Sequence, residues 1–220
     1  MERRFDEELK QLKDRLLTMA GLAEQAVGKS VKALVARDLA MAKAVTVEDA
    51  EINQLEVGIE EICVSLLARY QPEAKDLRFI AMVFKIVNDL ERVGDQAVNI
   101  SERTLDLLKE PLLKPLIDIP KMAELAQRML KDALDAFVQQ NAGLAREVCR
   151  RDEEVDRLND QVYNELLVFM TRDPKTITRA MDLILVGRNL ERVADHATNI
   201  AEDVYYLVKG TTIKHHLAGN

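Results

Sequence analysis

Apolar residues recur along this chain at alternating intervals of three and four. Val83, Ile86, Leu90, Val93, Ala97 and Ile100 follow that spacing, as do Leu183, Val186, Leu190, Val193, Ala197, Ile200, Val204 and Leu207. Such a stripe lies on one side of an α-helix and packs against neighbouring helices. A weaker version runs through Ile52, Leu55, Ile59, Ile62 and Leu66, and again through Val155, Leu158, Val162 and Phe169. Prolines break the pattern at Pro72 and Pro174 and cluster at Pro111, Pro115 and Pro120. Proline is poorly tolerated inside a helix, so each marks a boundary. The spacing predicts helices over 3–36, 39–70, 75–109, 120–140, 143–171 and 175–209.

The pattern is duplicated. DLERVGDQAVNISE (89–102) and NLERVADHATNIAE (189–202) share nine of 14 positions at an offset of 100. ALVARDLAMAKAV (33–45) lines up with AFVQQNAGLAREV (136–148) at an offset of 103. The difference of three is a small insertion in a connection. Helices of this length cannot bury a stripe alone, and short connections make them antiparallel neighbours. The expected fold is all-α: six long helices in two pseudo-symmetric antiparallel three-helix bundles, 1–112 and 113–220.

Composition agrees with this and narrows the chemistry. The chain has 220 residues, 48% of them hydrophobic, with 4% aromatics, no Trp, 8 Gly and 5 Pro. That is unlike an all-β sandwich or barrel. The net charge is −7, and no basic stripe interleaved with aromatics occurs, so nucleic acid is not an expected partner. Apolar runs such as 80–84 and 183–186 fall far short of the ~20 residues that span a membrane. The N-terminal MERRFDEELK lacks the apolar core of a signal peptide. A soluble, cytoplasmic chain is expected. Cys63 and Cys149 form no CxxC pair and read as reduced core thiols. The scattered methionines, Met19, Met41, Met82, Met122, Met129, Met170 and Met181, read as core filler.

The duplicated segments place acids beside the apolar stripe. With Leu90 and Val93 in the seam, Glu91 and Asp95 fall outside it, four residues apart, and Glu191 and Asp195 repeat the arrangement. On the preceding helix Asp49, Asn53 and Glu56 flank the seam, matched by Asp152, Asp156 and Asn159. Exposed carboxylates are common on amphipathic helices, and on spacing alone they read as a solvated face. Like charges four apart nevertheless disfavour a helix, and both halves keep them. A bound cation would reverse that repulsion. The donors are all oxygen, which suits Mg, Ca, Mn or ferric iron rather than thiolate-bound Zn. A buried di-iron centre would need Glu-x-x-His on facing helices. The three histidines, His196, His215 and His216, supply none, and the last two read as tail residues. Arg92 and Arg192 follow the acids and are expected to pair with them. No phosphate loop, nucleophile elbow or Cys–His pair is visible, so no catalytic residue and no enzyme activity are expected.

The segments LERVGDQAVNISE and LERVADHATNIAEDVYYLVKG resemble the signature helices of the PhoU family, regulators of bacterial phosphate uptake. INQLEVGIEEICVSLLARYQPEAKDLRF and FDEELKQLKDRLLTMAGLAEQAV resemble it too. The resemblance implies two three-helix bundles that bind multinuclear metal clusters, iron in some members, through E/D-x-x-x-D motifs. Carried over, these are Glu91-x-x-x-Asp95, Glu191-x-x-x-Asp195 and Asp152-x-x-x-Asp156, with Asp49-x-x-x-Asn53 carrying an amide in its second place. It further implies a homodimer, peripheral to the membrane, that links the ATPase subunit of a phosphate ABC transporter to a membrane sensor histidine kinase and restrains phosphate-starvation signalling. A metal-dependent phosphoesterase and a metal-storing helical scaffold are the alternatives that clustered carboxylates leave open.

Overall fold

The computed structural model describes residues 2–213, with side chains from Arg4 onward, so the expectation for His215 and His216 lies outside the described residues. Six helices follow one another: α1 Glu2–Ala36, α2 Leu39–Tyr70, α3 Ala74–Leu107, α4 Asp118–Gln139, α5 Ala142–Arg172 and α6 Ile177–Lys209. A single 3-10 turn, Pro174–Thr176, opens α6. Among the described residues there are no strands. The expected boundaries lie within a few residues of these. Pro120 sits inside the first turn of α4 rather than at its edge, where backbone N–H groups have no intrahelical partner to lose.

Local chemistry stops and starts the helices. Asp38 caps α2 by accepting from the Met41 amide at 2.9 Å, and Asn141 caps α5 by accepting from the Gly143 and Leu144 amides. These are matched positions in the two halves, each just after a residue in the left-handed region, Arg37 at φ 55 and Gln140 at φ 52. An Asx N-cap of this kind contributes about 1 kcal/mol.

In each half three antiparallel helices surround a seam, α1–α3 in the first and α4–α6 in the second. The two halves meet mainly where α3 lies antiparallel to α6, with a smaller contact between α1 and α4. The heptad stripes of α3 and α6 are buried throughout. One hydrophobic core runs through both halves without a break. Cys63 and Cys149 are free thiols inside that core, and burial pushes both up to about 12. Of the methionines, Met19, Met82, Met122 and Met129 are core residues as expected, but Met181 is 44% exposed. It lies on the far side of α6 from the seam, where no neighbouring helix among the described residues covers it.

The connection over 108–117 is held from both halves. Arg37 donates to the carbonyls of Leu107, Leu108 and Glu110, which satisfies acceptors that the end of α3 leaves open. Arg179 of α6 donates to the Pro111 carbonyl and lies beside Glu110.

Candidate functional site: two acidic helix pairs

Each half presents one acidic surface, where its second and third helices lie side by side. In the first half Asp49 and Asn53 come from α2, Glu91 and Asp95 from α3. Gly94 lets α2 approach closely here: a Cβ at this position would sit 2.8 Å from Asp49 Oδ1 and 3.2 Å from Ile52 Cδ1. Asn53 donates to Asp49 Oδ2 at 3.0 Å. Asp49 Oδ1 is buried and accepts no hydrogen bond. Burial is the main cause that raises Asp49, opposed by the Asn53 bond and reinforced by the charge of Asp95. Glu91 is raised first by burial and then by Asp95, and Glu56 by burial and Glu60. Arg92 offsets part of this charge, with Nη1 2.9 Å from Asp95 Oδ2 and Nε 3.3 Å from Glu91 Oε2.

The second half repeats the arrangement with less compensation. Asp152 and Asp156 come from α5, Glu191 and Asp195 from α6. Asp152 Oδ1 is buried and accepts no hydrogen bond. Burial pushes the Asp152 carboxyl up to about 6, with Asp195 and Asp156 adding repulsion and the nearby Thr198 hydroxyl opposing it. Burial also raises Asp156, next to Asp160 and Glu153, and Glu191, next to Asp195 and Asp156. Asp195 keeps more than a third of its surface open, yet crowding by the protein raises it, followed by the charge of Asp156. Among the described residues Arg192 makes no ion pair like those of Arg92, and it acts on Glu191 and Asp195 only at longer range.

The structure therefore brings the expected residues together in two groups, Asp49, Asn53, Glu91 and Asp95 in one, Asp152, Asp156, Glu191 and Asp195 in the other. The groups are less open than heptad position predicts. The side chain of Glu91 is only 15% exposed, because the close packing of α2 roofs the flank of α3. Two expectations are refined further. Arg92 pairs as predicted and Arg192 does not. His196 turns away from Asp195: its Nδ1 lies 2.9 Å from Asp89 Oδ1, and Asn199 donates to that same oxygen. This contact joins α6 to α3 across the two halves. Its only signal in the sequence is that the matched pair, Gln96 and Asn189, lacks it. Asp160 also went unnoticed and extends the second group.

The donor chemistry fits a hard cation. Buried carboxylate oxygens on both surfaces lack partners, and Asp49, Glu91, Asp152, Asp156, Glu191 and Asp195 hold their protons more tightly than usual, both signs of charge that the protein does not fully neutralise. Among the described residues no three His, Cys, Asp or Glu side chains converge on one point. The acids line a face and do not form a closed cage.

Comparison with known proteins follows the same two halves. The family model of the PhoU domain matches residues 16–104 and 119–204. A phosphate-specific transport system accessory protein PhoU homolog from Aquifex aeolicus is 44% identical over 208 residues, 94% of each chain. Its counterpart from Pseudomonas aeruginosa is 41% identical over 216 residues, 98% of this chain and 89% of that one. The crystal structure of PhoU from Pseudomonas aeruginosa superposes with a TM-score of 0.91 at 42% identity, covering 94% of this chain and all of that one. The phosphate transport system regulatory protein PhoU from Streptococcus pneumoniae gives 0.88 at 31% identity, covering 96% and 99%. Duplicated three-helix halves, acids repeated on the outer helices and near-full-length identity lead to one conclusion: the chain belongs to the PhoU family.

Proposed function

We propose that this chain is a regulatory accessory protein of a phosphate-specific transport system, an adaptor and not an enzyme. The supporting observation is a relationship along almost the whole chain to proteins named as accessory to that system. In this reading it restrains phosphate uptake and phosphate-starvation signalling. It does so as a cytoplasmic homodimer, by contacting the ATPase subunit of the transporter and a membrane sensor histidine kinase. No helix among the described residues is long and apolar enough to cross a membrane; in this reading the chain meets the membrane through those partners.

The acidic surfaces are the proposed docking and metal-binding elements. Asp49, Asn53, Glu91 and Asp95 would hold cations on one half, Asp152, Asp156, Glu191 and Asp195 on the other. Iron is the first candidate, with Mg, Ca and Mn compatible with the same oxygens. A bound cation would supply fixed positive charge, cancelling repulsion among the carboxylates and stiffening the α2–α3 and α5–α6 pairs. The chain's own contribution is to hold unpartnered oxygens at helix flanks that pack closely.

Elemental analysis of purified protein, paired with thermal unfolding in added Fe or Mn, tests the metal element. A fixed small stoichiometry and a rise in Tm are expected, both reduced but not abolished in Asp152→Asn/Asp156→Asn/Glu191→Gln/Asp195→Asn, which leaves the first-half group intact; an unchanged response in that variant removes these residues from the assignment. Capture of the transporter ATPase subunit by the full chain tests the adaptor element, and failure of capture with both proteins folded rejects it.

A further inference from the structure

The outer surface shared by α5 and α6 changes character along its length. Around Asp152 and Asp195 it is acidic. Toward the α5–α6 turn it is apolar: Tyr163 and Leu167 on α5, and Ile177, Met181 and Leu185 on α6, are each 38–49% exposed. Steps of four keep each set on one side of its helix. The close approach of Gly187 to Asn159 and Val162 fixes the register. Counting outward along antiparallel helices sets Leu167 level with Met181 and Tyr163 level with Leu185. The patch thus continues directly from the acids on the same surface.

The first half carries a smaller patch, with only Val64 and Leu77 exposed as large apolar side chains among the matched positions. Its matched positions are Glu60, Val64, Leu77, Ala81 and Lys85, and Lys85 is committed to Asp203 at 2.6 Å. The larger, five-residue apolar surface belongs to the second half. Contiguous exposed apolar side chains rimmed by charge mark interaction surfaces.

We infer that this patch and its bordering acids form a docking surface for a basic amphipathic helix of a partner protein. Its apolar stripe lies over Leu167 and Met181, and its Lys and Arg side chains meet Asp156, Asp160, Glu191 and Asp195. Charge selects this occupant. An anionic membrane is repelled by the same acids, and a second copy of this surface opposes acid with acid. Five side chains also offer much less than the ~800 Å² per partner of a stable interface, which suits a transient contact with one helix. The inference rests on the adaptor reading and assigns its contact to the second half.

Fluorescence anisotropy in metal-free buffer tests it, using a synthetic helical peptide with a leucine face flanked by lysines, and the same peptide with glutamates for lysines. The lysine peptide binds, and salt weakens it; the glutamate peptide does not bind. Leu167→Asp/Met181→Asp lowers the affinity at least about tenfold, whereas Val64→Asp/Leu77→Asp, the matched change in the first half, leaves it unaltered. Tyr163→Ser, a milder change, shifts it in the same direction as the first double variant. Equal binding by the two double variants, or by the two peptides, overturns the inference. So does selective loss in Leu167→Asp/Met181→Asp of phosphatidylserine-vesicle binding or of self-association in sedimentation, which identifies lipid or a second copy as the occupant. ATPase capture that survives Leu167→Asp/Met181→Asp rejects this surface and keeps the adaptor reading. Peptide binding without capture by the unaltered chain does the reverse.

Discussion

Asp152 shows how a single residue reports the strain in the acidic surfaces. Its folded carboxyl holds a proton up to about pH 6, against an ordinary value of 3.8. A carboxyl that holds its proton more tightly when folded favours folding below about pH 4, and that advantage is lost as pH rises through about 6. Discounted for screening by solvent, the loss is about 1–2 kcal/mol. Asp49, Glu91, Asp156, Glu191 and Asp195 are raised in the same direction and steepen the slope. Asp152→Asn is therefore expected to raise the Tm of metal-free protein by a few degrees at pH 8 and hardly at all at pH 4. Calorimetry at both pH values checks this, and an equal shift at both excludes charge as the cause. The sequence made the identity of these acids legible, because duplication repeats them beside a readable stripe. It did not reveal their half-burial, which depends on how closely a neighbouring helix approaches.

That approach is set by small residues within the helices. Gly94 faces Asp49 and Ile52, and Gly187 faces Asn159 and Val162, whereas a Cβ on Gly21 of α1 would meet nothing within 4 Å. Alanine in place of glycine favours a helix by about 1 kcal/mol where space is open, and overpacking costs about 1–3 kcal/mol where it is not. Gly21→Ala should stabilise the protein by about 0.5–1 kcal/mol, and Gly94→Ala should fail to stabilise it or should destabilise it, as measured by urea unfolding. Helix boundaries were legible from proline and period alone, to within a few residues. The close approaches were not, since periodicity shows which side of a helix is apolar but not how near its neighbour lies. The exposure of Met181 escaped notice for the same reason: a methionine at helical spacing looks like core until the covering helix proves to be missing.

Across the whole molecule the two halves are copies that have diverged where they meet. Lys85 and Arg103 of α3 face Asp203 and Asp182 of α6, at 2.6 Å and 3.4 Å. Asp203 is 4% exposed, so removing Lys85 leaves a buried acid without its partner. Lys85→Met and Asp203→Asn should together cost less than the sum of the two alone, with a coupling of about 1–3 kcal/mol in a double-mutant cycle; additive losses would show that the pair does not stabilise the junction. The matched residues are Leu185, Asp203, Met82 and Arg103, so the pattern is not a symmetric one. Two first halves laid together in this register would oppose Lys85 with Arg103, and two second halves would oppose Asp182 with Asp203. A chain severed between 111 and 117 would thus yield two unlike fragments that reunite as a mixed pair, each refusing its own kind, a natural starting point for split-protein complementation.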